Sequence, residues 1–337
     1  MAEIRIKAAW LNLLFLTLVA STGIAQTQFS VDVNAAQTPF KASVNLVNVA
    51  FAAQDSRGAL VRNLTKDDVE LLEDAVPQKI EFFARSTDLP LTLALIVDAS
   101  GSQDHFGAQH KKALEVFLKQ ILRPQDRVLL LGFGNHLRLV SDYTNSPDRI
   151  LDSYTRYFKN SKGFPEIGPH EDRDLGTAFY DSIYSSVTEK LAQAEGRKAI
   201  LMFSDGEDNS SSHNMMATIE TAQAANVPIY AIRYTESKRG KLTARNKYGI
   251  SVMDRIAKET GGLHINAANT EPDVYFQQIA EELRSSYDVG YYSTNKTKDD
   301  TFRKIAIRTN SPGVTIRSKT GYFASTPSAT DQNDERQ

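Results

Sequence analysis

LTLALIVDASGS, residues 91–102, decides how this chain folds. An unbroken apolar run ends at Asp98, and hydroxyls follow at Ser100 and Ser102. KAILMFSDGEDN, residues 198–209, repeats the design and delivers Asp205, followed by Gly206. Runs apolar on both faces read as strands of a buried parallel sheet, and such sheets present functional groups beyond their carboxyl ends.

Outward from these runs, strands alternate with long helical patterns from Leu91 to Tyr287. HKKALEVFLKQIL, SPDRILDSYTRYF, TAFYDSIYSSVTEKLAQ, MMATIETAQAAN, YGISVMDRIAKETG and DVYFQQIAEELRSSY have helical spacing. DRVLLLGFG, LRLVSDYT, VPIYAIRY and GLHINAA read as further strands. Ser146 and Pro147 fit the N-cap and first position of a helix. This order indicates an α/β fold, a doubly wound and mostly parallel sheet covered on both faces. Lys159 to Gly176 reads as a long irregular loop, and SKRGKLTARNKYG as a basic insertion.

The flanks have another rhythm. ASVNLVNVAFAAQDS, VELLED and VPQKIEFFARS precede the α/β region, while DVGYYST, RKIAIRTN and GVTIRSKTGYFA follow it. Neither flank builds a core alone, so the expectation is one small β-sandwich assembled from both. Two independent β extensions are the alternative. The expected organisation is 1–25 signal peptide, 26–40 flexible leader, 41–88 N-terminal β segment, 89–287 α/β domain, 288–324 C-terminal β segment and 325–337 disordered tail.

Parallel-sheet topology brings the loops after several strands to one edge. Asp98, Ser100 and Ser102 lie in the first of these loops. Thr177 stands just after Gly176 in DLGTAFYD, and Asp205 stands in the last loop. Two carboxylates and three hydroxyls make a hard-oxygen set suited to a divalent cation, Mg²⁺ first, with Mn²⁺ or Ca²⁺ as alternatives. Each piece alone has a plainer explanation. D-x-S-x-S is common loop chemistry, Thr177 fits an N-cap, and Asp205-Gly206 fits a turn. Order and placement together favour the metal.

DASGS, then GTA, then SDGEDN, on alternating strands and helices, resembles the von Willebrand factor type A (VWA) family. The flanking β segments, with LTKDDVELLEDAVPQKI and a closing GYFA, are similar to those of exported bacterial proteins carrying this domain. The resemblance implies a sheet with one short antiparallel edge strand, for which HLRLVSDYT is the candidate. It implies a metal-ion-dependent adhesion site at Asp98, Ser100, Ser102, Thr177 and Asp205. It further implies a protein ligand that offers an exposed Asp or Glu, in adhesion or envelope assembly. The family holds binding and assembly proteins far more than enzymes. A structural assembly subunit whose metal only stiffens loops is the second reading, and a metal-assisted hydrolase the third.

Bulk properties narrow the field. Residues 1–25 carry Arg5 and Lys7, then an apolar stretch from Ala8 to Ala20, then small residues up to Ala25. That is the layout of a cleaved secretory signal, and it predicts an exported protein, periplasmic or extracellular. An uncleaved anchor needs a span of about 20 apolar residues, longer than this one. No integral span is expected after cleavage. The chain has no cysteine, which excludes disulfides and thiolate metal sites. Net charge is −2 with mixed signs, and no basic stripe points to nucleic acid. No catalytic residues are expected. DASGS lacks the nucleophile elbow of serine hydrolases, and the six histidines show no paired spacing for zinc. His105, Glu207 and Asp208 are candidates for the rim of the site or for its surroundings.

Overall fold

The computed structural model describes residues 46–87, 89–169, 176–237 and 241–324. The expected signal peptide, leader and tail lie outside the described residues. Four strands come first: β1 (Leu46–Gln54), β2 (Val69–Glu73), β3 (Val76–Gln78) and β4 (Ile80–Arg85). The central region then runs β5 (Leu91–Asp98), α1 (Gly107–Gln120), β6 (Arg127–Phe133), β7 (Leu137–Thr144), α2 (Pro147–Lys159), β8 (Glu166–Ile167), α3 (Phe179–Ser185), β9 (Arg197–Ser204), α4 (Met215–Ala224), β10 (Ile229–Arg233), α5 (Ala244–Thr260), β11 (His264–Asn266) and α6 (Pro272–Arg284). Strands β12 (Tyr287–Tyr292), β13 (Phe302–Thr309), β14 (Thr315–Ser318) and β15 (Gly321–Phe323) close the chain.

The central sheet has the order β11-β10-β9-β5-β6-β7-β8. Strand β7 alone is reversed among these seven, pairing antiparallel with both β6 and β8. Every residue of β5 is buried. Alternate side chains divide between the two faces, as the pleat requires. Leu93, Leu95 and Val97 join Phe117 of α1 and Phe276 of α6 on one face. Ala94 and Ile96 join Ile183 of α3 and Met253 of α5 on the other. Strand β9 divides in the same way, with Leu201 and Phe203 on the first face and Ile200 and Met202 on the second. A run apolar at every position is therefore what a central strand needs.

The flanking strands form two antiparallel sheets of order β14-β1-β12-β4 and β15-β13-β2-β3. Each mixes strands from before and after the central region. Val49 and Phe51 of β1 pack with Leu71 of β2, Tyr287 and Val289 of β12, and Ile305 of β13 in one core. This is the sandwich expected from both flanks. It also holds a buried polar cluster. Glu73 accepts from Tyr291 Oη at 2.7 Å, Tyr322 Oη at 2.9 Å and Ser293 Oγ at 2.5 Å, and pairs with Arg303 at 3.3 Å. Among the described residues no helix is long and apolar enough to cross a membrane.

Three local readings change. The stretch from Lys159 to Gly176 is not wholly irregular, because Glu166 and Ile167 pair with Arg138 and Leu137 as a short seventh strand. Arg138 anchors it through an ion pair with Glu166 and a bond to the Phe164 carbonyl at 2.7 Å. The basic insertion is shorter than its composition suggests, since α5 begins at Ala244. Thr243 and Asn246 close a reciprocal capping box there. The helix after Thr177 turns from α to π geometry at Ser186–Leu191.

Candidate functional site

Asp98 ends β5 beside Phe133 of β6, and its neighbour Val97 lies beside Phe203 of β9. It is fully buried. Both carboxylate oxygens are held: the Ser100 amide donates to Oδ1 at 2.9 Å and the Ser204 hydroxyl to Oδ2 at 2.6 Å. Ser100 is extended, and a 3-10 turn over Gly101–Phe106 follows it. This change of backbone sets the Ser100 and Ser102 hydroxyls 3.2 Å apart. Neighbouring ligands of an octahedral Mg²⁺ with bonds of about 2.0–2.1 Å stand about 3 Å apart, so the pair has the spacing of adjacent ligands. Ser102 is the exposed member of the group.

Asp205 follows β9 and is also buried. The Glu207 amide donates to its Oδ1 at 3.1 Å, and Gln103 Nε2 to its Oδ2 at 3.0 Å. Gln103 donates as well to the Tyr234 carbonyl at 3.1 Å, which ties the Ser100–Ser102 turn to the loops after β9 and β10. Gly206, at φ +77°, turns the chain. A Cβ on Gly206 would run into the Gly249 carbonyl oxygen, and one on Gly249 into that of Asp205, so the two backbones touch.

Thr177 enters through its backbone. Its amide donates to Asn209 Oδ1 at 2.7 Å, and its carbonyl accepts from Asn209 and Ser210. The next amide, Ala178, donates to the Gly134 carbonyl at 2.7 Å, and Gly134 packs against Ala99. The N-cap explanation for Thr177 fails, because Ala178 occupies the cap position and has no side chain to close it. Asp208 supplies that end instead, accepting from the Phe179 amide at 2.9 Å. Asp181 accepts from the Ser212 and His213 amides and from His213 Nδ1, at 2.9, 2.9 and 2.7 Å. The loop from Asp205 to His213 is thus bolted to the start of α3.

Charge is concentrated here. Burial pushes the Asp98 carboxyl up to about 7, and the negative charge of Asp205 adds to the rise. Burial, then Asp205, raises Glu207 also, while Arg245 opposes at 2.6 Å. Asp208 is raised by burial. Two carboxylates buried together favour a bound cation over two bare charges. Each of their oxygens accepts one of the bonds described above and keeps further acceptor capacity. Among the described residues no three His, Cys, Asp or Glu side chains gather as a metal cluster. The acidic side chains here are two, Asp98 and Asp205, with the Ser100 and Ser102 hydroxyls on the turn that follows Asp98.

The model of the von Willebrand factor type A domain matches residues 92–281. The chain belongs to that family. Solved structures similar to this VWA protein include an aerotolerance-related membrane protein from Bacteroides fragilis. It is 16% identical, with 57% of this chain and 98% of that one covered, at a TM-score of 0.42. BatB from Bacteroides thetaiotaomicron is 15% identical, with 58% and 100% covered, at 0.41. The VWF domain of the type V pili tip protein Mfa5 from Porphyromonas gingivalis is 12% identical, with 57% and 94% covered, at 0.40. A search of curated proteins found no match.

Four contributors to this VWA site escape a reading of the sequence. Ser204 looks like the end of a strand, yet it holds Asp98. Gln103 and Asn209 look like loop filler, yet each bridges two loops. A hydroxyl at the last buried position of an apolar strand is a usable clue for Ser204. Gly249 has none, because it matters through a contact with Asp205, 44 positions earlier (249 − 205). His105 lies 3.7 Å from Glu236, and both side chains are exposed.

Proposed function

We propose that this VWA protein is a binding module, not an enzyme. It holds a divalent cation, Mg²⁺ foremost, at Asp98, Ser100, Ser102, Thr177 and Asp205, and through it takes up an Asp or Glu of a partner protein. The spacing of the Ser100 and Ser102 hydroxyls beside two buried carboxylates carries this reading. The cation supplies positive charge that a partner's carboxylate can meet. Ser204, Gln103 and the Ser100 amide fix the carboxylates before any ligand arrives, which limits the ordering cost of binding. The exposed Ser102 marks the side open to a partner. Export, inferred from residues 1–25, puts the site where adhesion or envelope assembly takes place.

Thermal melting with Mg²⁺ and with chelator tests the metal. A ligand that binds only the native state adds about 2.7 kcal/mol at a hundred times its Kd. Mg²⁺ raises the melting temperature of the wild type and leaves Asp98→Ala unmoved; equal shifts in both refute the site. Capture of envelope proteins with Mg²⁺ but not with chelator tests the partner. Capture indifferent to metal leaves the cation a stiffener of loops, and turnover that disappears in Asp205→Ala would make the protein an enzyme.

A further inference from the structure

At the other end of the sheet, the amino-terminal ends of β9 and β10 meet the sandwich strands β1 and β14. A cavity of about 40 Å³ lies in this junction. At about 10–15 Å³ per water it has room for about three waters. Arg197 of β9, Arg317 of β14 and Lys319 line it, and Glu282 of α6 is the one acidic residue among the described lining.

The polar atoms do not balance. Glu282 accepts from Tyr230 Oη at 2.7 Å and forms an ion pair with Arg317 Nη2. Arg197 Nη2 donates to Asp288 at 2.6 Å. Lys319 Nζ donates to the Gln223 carbonyl at 2.9 Å and Asn226 Oδ1 at 2.6 Å. Five buried atoms of the lining have no hydrogen-bond partner among the described residues: Arg317 Nη2 and Glu282 Oε2, which meet only as an ion pair, and the three donors Arg197 Nε, Arg317 Nε and Ser286 Oγ. The Arg197 side chain is 10% exposed and Ser286 5%. Three cations face two carboxylates, Glu282 and Asp288, which leaves one positive charge over (3 − 2). Burial pulls the Lys319 amine down to about 8, as befits a cation whose partners are neutral oxygens. A buried donor left unmet is destabilising, because it has given up its water and gained nothing. Water can meet these donors, but it leaves the surplus positive charge unbalanced. An oxoanion brings acceptors and negative charge together.

We propose that this junction binds a small tetrahedral oxoanion of the phosphate or sulfate class, held by Arg197 Nε, Arg317 Nε and the Ser286 hydroxyl. The anion ties β14 of the sandwich to β9 of the VWA domain, at the end of the sheet away from Asp98 and Asp205. Its contacts are independent of the cation site.

The test uses the full chain in chelator, so that the cation site is silent. Inorganic phosphate is titrated at constant ionic strength against chloride, followed by phosphorus NMR line width and melting temperature. The expected result is saturable broadening with a parallel rise in melting temperature. Arg197→Lys keeps the charge but loses Nε, and Ser286→Ala removes the hydroxyl; each weakens binding at least about tenfold. Ser286→Ala alone decides the matter if Arg197→Lys melts early in chloride. No saturable response in the wild type, or equal responses in wild type and Ser286→Ala, overturns the proposal.

Discussion

Gly249→Ala sets two opposed effects against each other at one atom. Gly249 lies inside α5, where alanine is favoured over glycine by about 0.8–1.0 kcal/mol. A helix-propensity argument alone therefore forecasts a more stable protein. The added Cβ, however, would stand well inside 3.0 Å of the Asp205 carbonyl oxygen and 3.2 Å from the Gly206 carbonyl carbon. Both are backbone atoms, so no rotamer relieves the clash. Overpacking costs about 1–3 kcal/mol, and a rigid neighbour puts this case in the upper half. The difference is a net loss of about 1–2 kcal/mol. At about 2–4 °C per kcal/mol for a domain of this size, melting falls by about 2–8 °C. Urea unfolding in chelator measures the stability free of metal. The variant also shifts Asp205, so Mg²⁺ affinity by calorimetry drops about tenfold or more, given that ligand sets tolerate displacements of about 0.5 Å. A variant more stable than wild type with unchanged Mg²⁺ affinity would refute the claimed backbone contact.

Other perturbations test the interior. Glu73→Ala leaves Arg303 buried without its carboxylate and costs about 3–5 kcal/mol in urea unfolding, while Glu73→Gln costs less. Burial acts to raise the Glu73 carboxyl, but donors from Ser293, Tyr291, Tyr322 and Arg303 together hold it below its ordinary 4.5. That stabilisation is present above pH 4.5 and fades as pH falls through the lower folded value, so Glu73→Gln shows a flatter acid limb. His110 is held neutral by burial, from 6.5 down to about 3. The unfolded chain takes up this proton first, so stability falls as pH drops from 6.5 toward 3, by about 1.4 kcal/mol per unit of the difference. His110→Leu flattens that window, and an unchanged slope would show that the ring is not kept neutral.

The runs that chose the fold were legible because their burial is two-sided. LTLALIVD and KAILMFS have no polar face to hide, and only the middle of a covered sheet accepts such a segment. LRLVSDYT was expected as the reversed strand from the family resemblance and is reversed, but it is not the edge, because Glu166 and Ile167 pair outside it; the sandwich was legible through flanks too small to stand alone. What stayed hidden depends on contacts distant in sequence. The pairing of Glu166 and Ile167 with β7 rests on two residues and an arginine, too little for any periodic pattern. The start of α5 at Ala244 lay under a basic composition that suggests loop, although Thr243 and Asn246 carry the cap. Within the candidate site, Asp98, Ser100, Ser102 and Asp205 could be placed together because strand ends converge. Their keepers Ser204, Gln103 and Asn209 could not, since an amide or hydroxyl is chosen by its neighbours in space.

The interleaved sandwich has a bearing on biosynthesis. Glu73 meets Arg303 across 230 positions, and β2 has only the three-residue β3 beside it until β13 has been made. Closing so long a loop adds an entropic toll that grows only slowly with length, but contacts this remote slow the assembly of the pair. The first hundred residues emerging from a ribosome carry half a sandwich with nothing to close it. An unfinished polypeptide exposes those strands to proteases and chaperones, so the two-ended sandwich certifies that translation has run to β13.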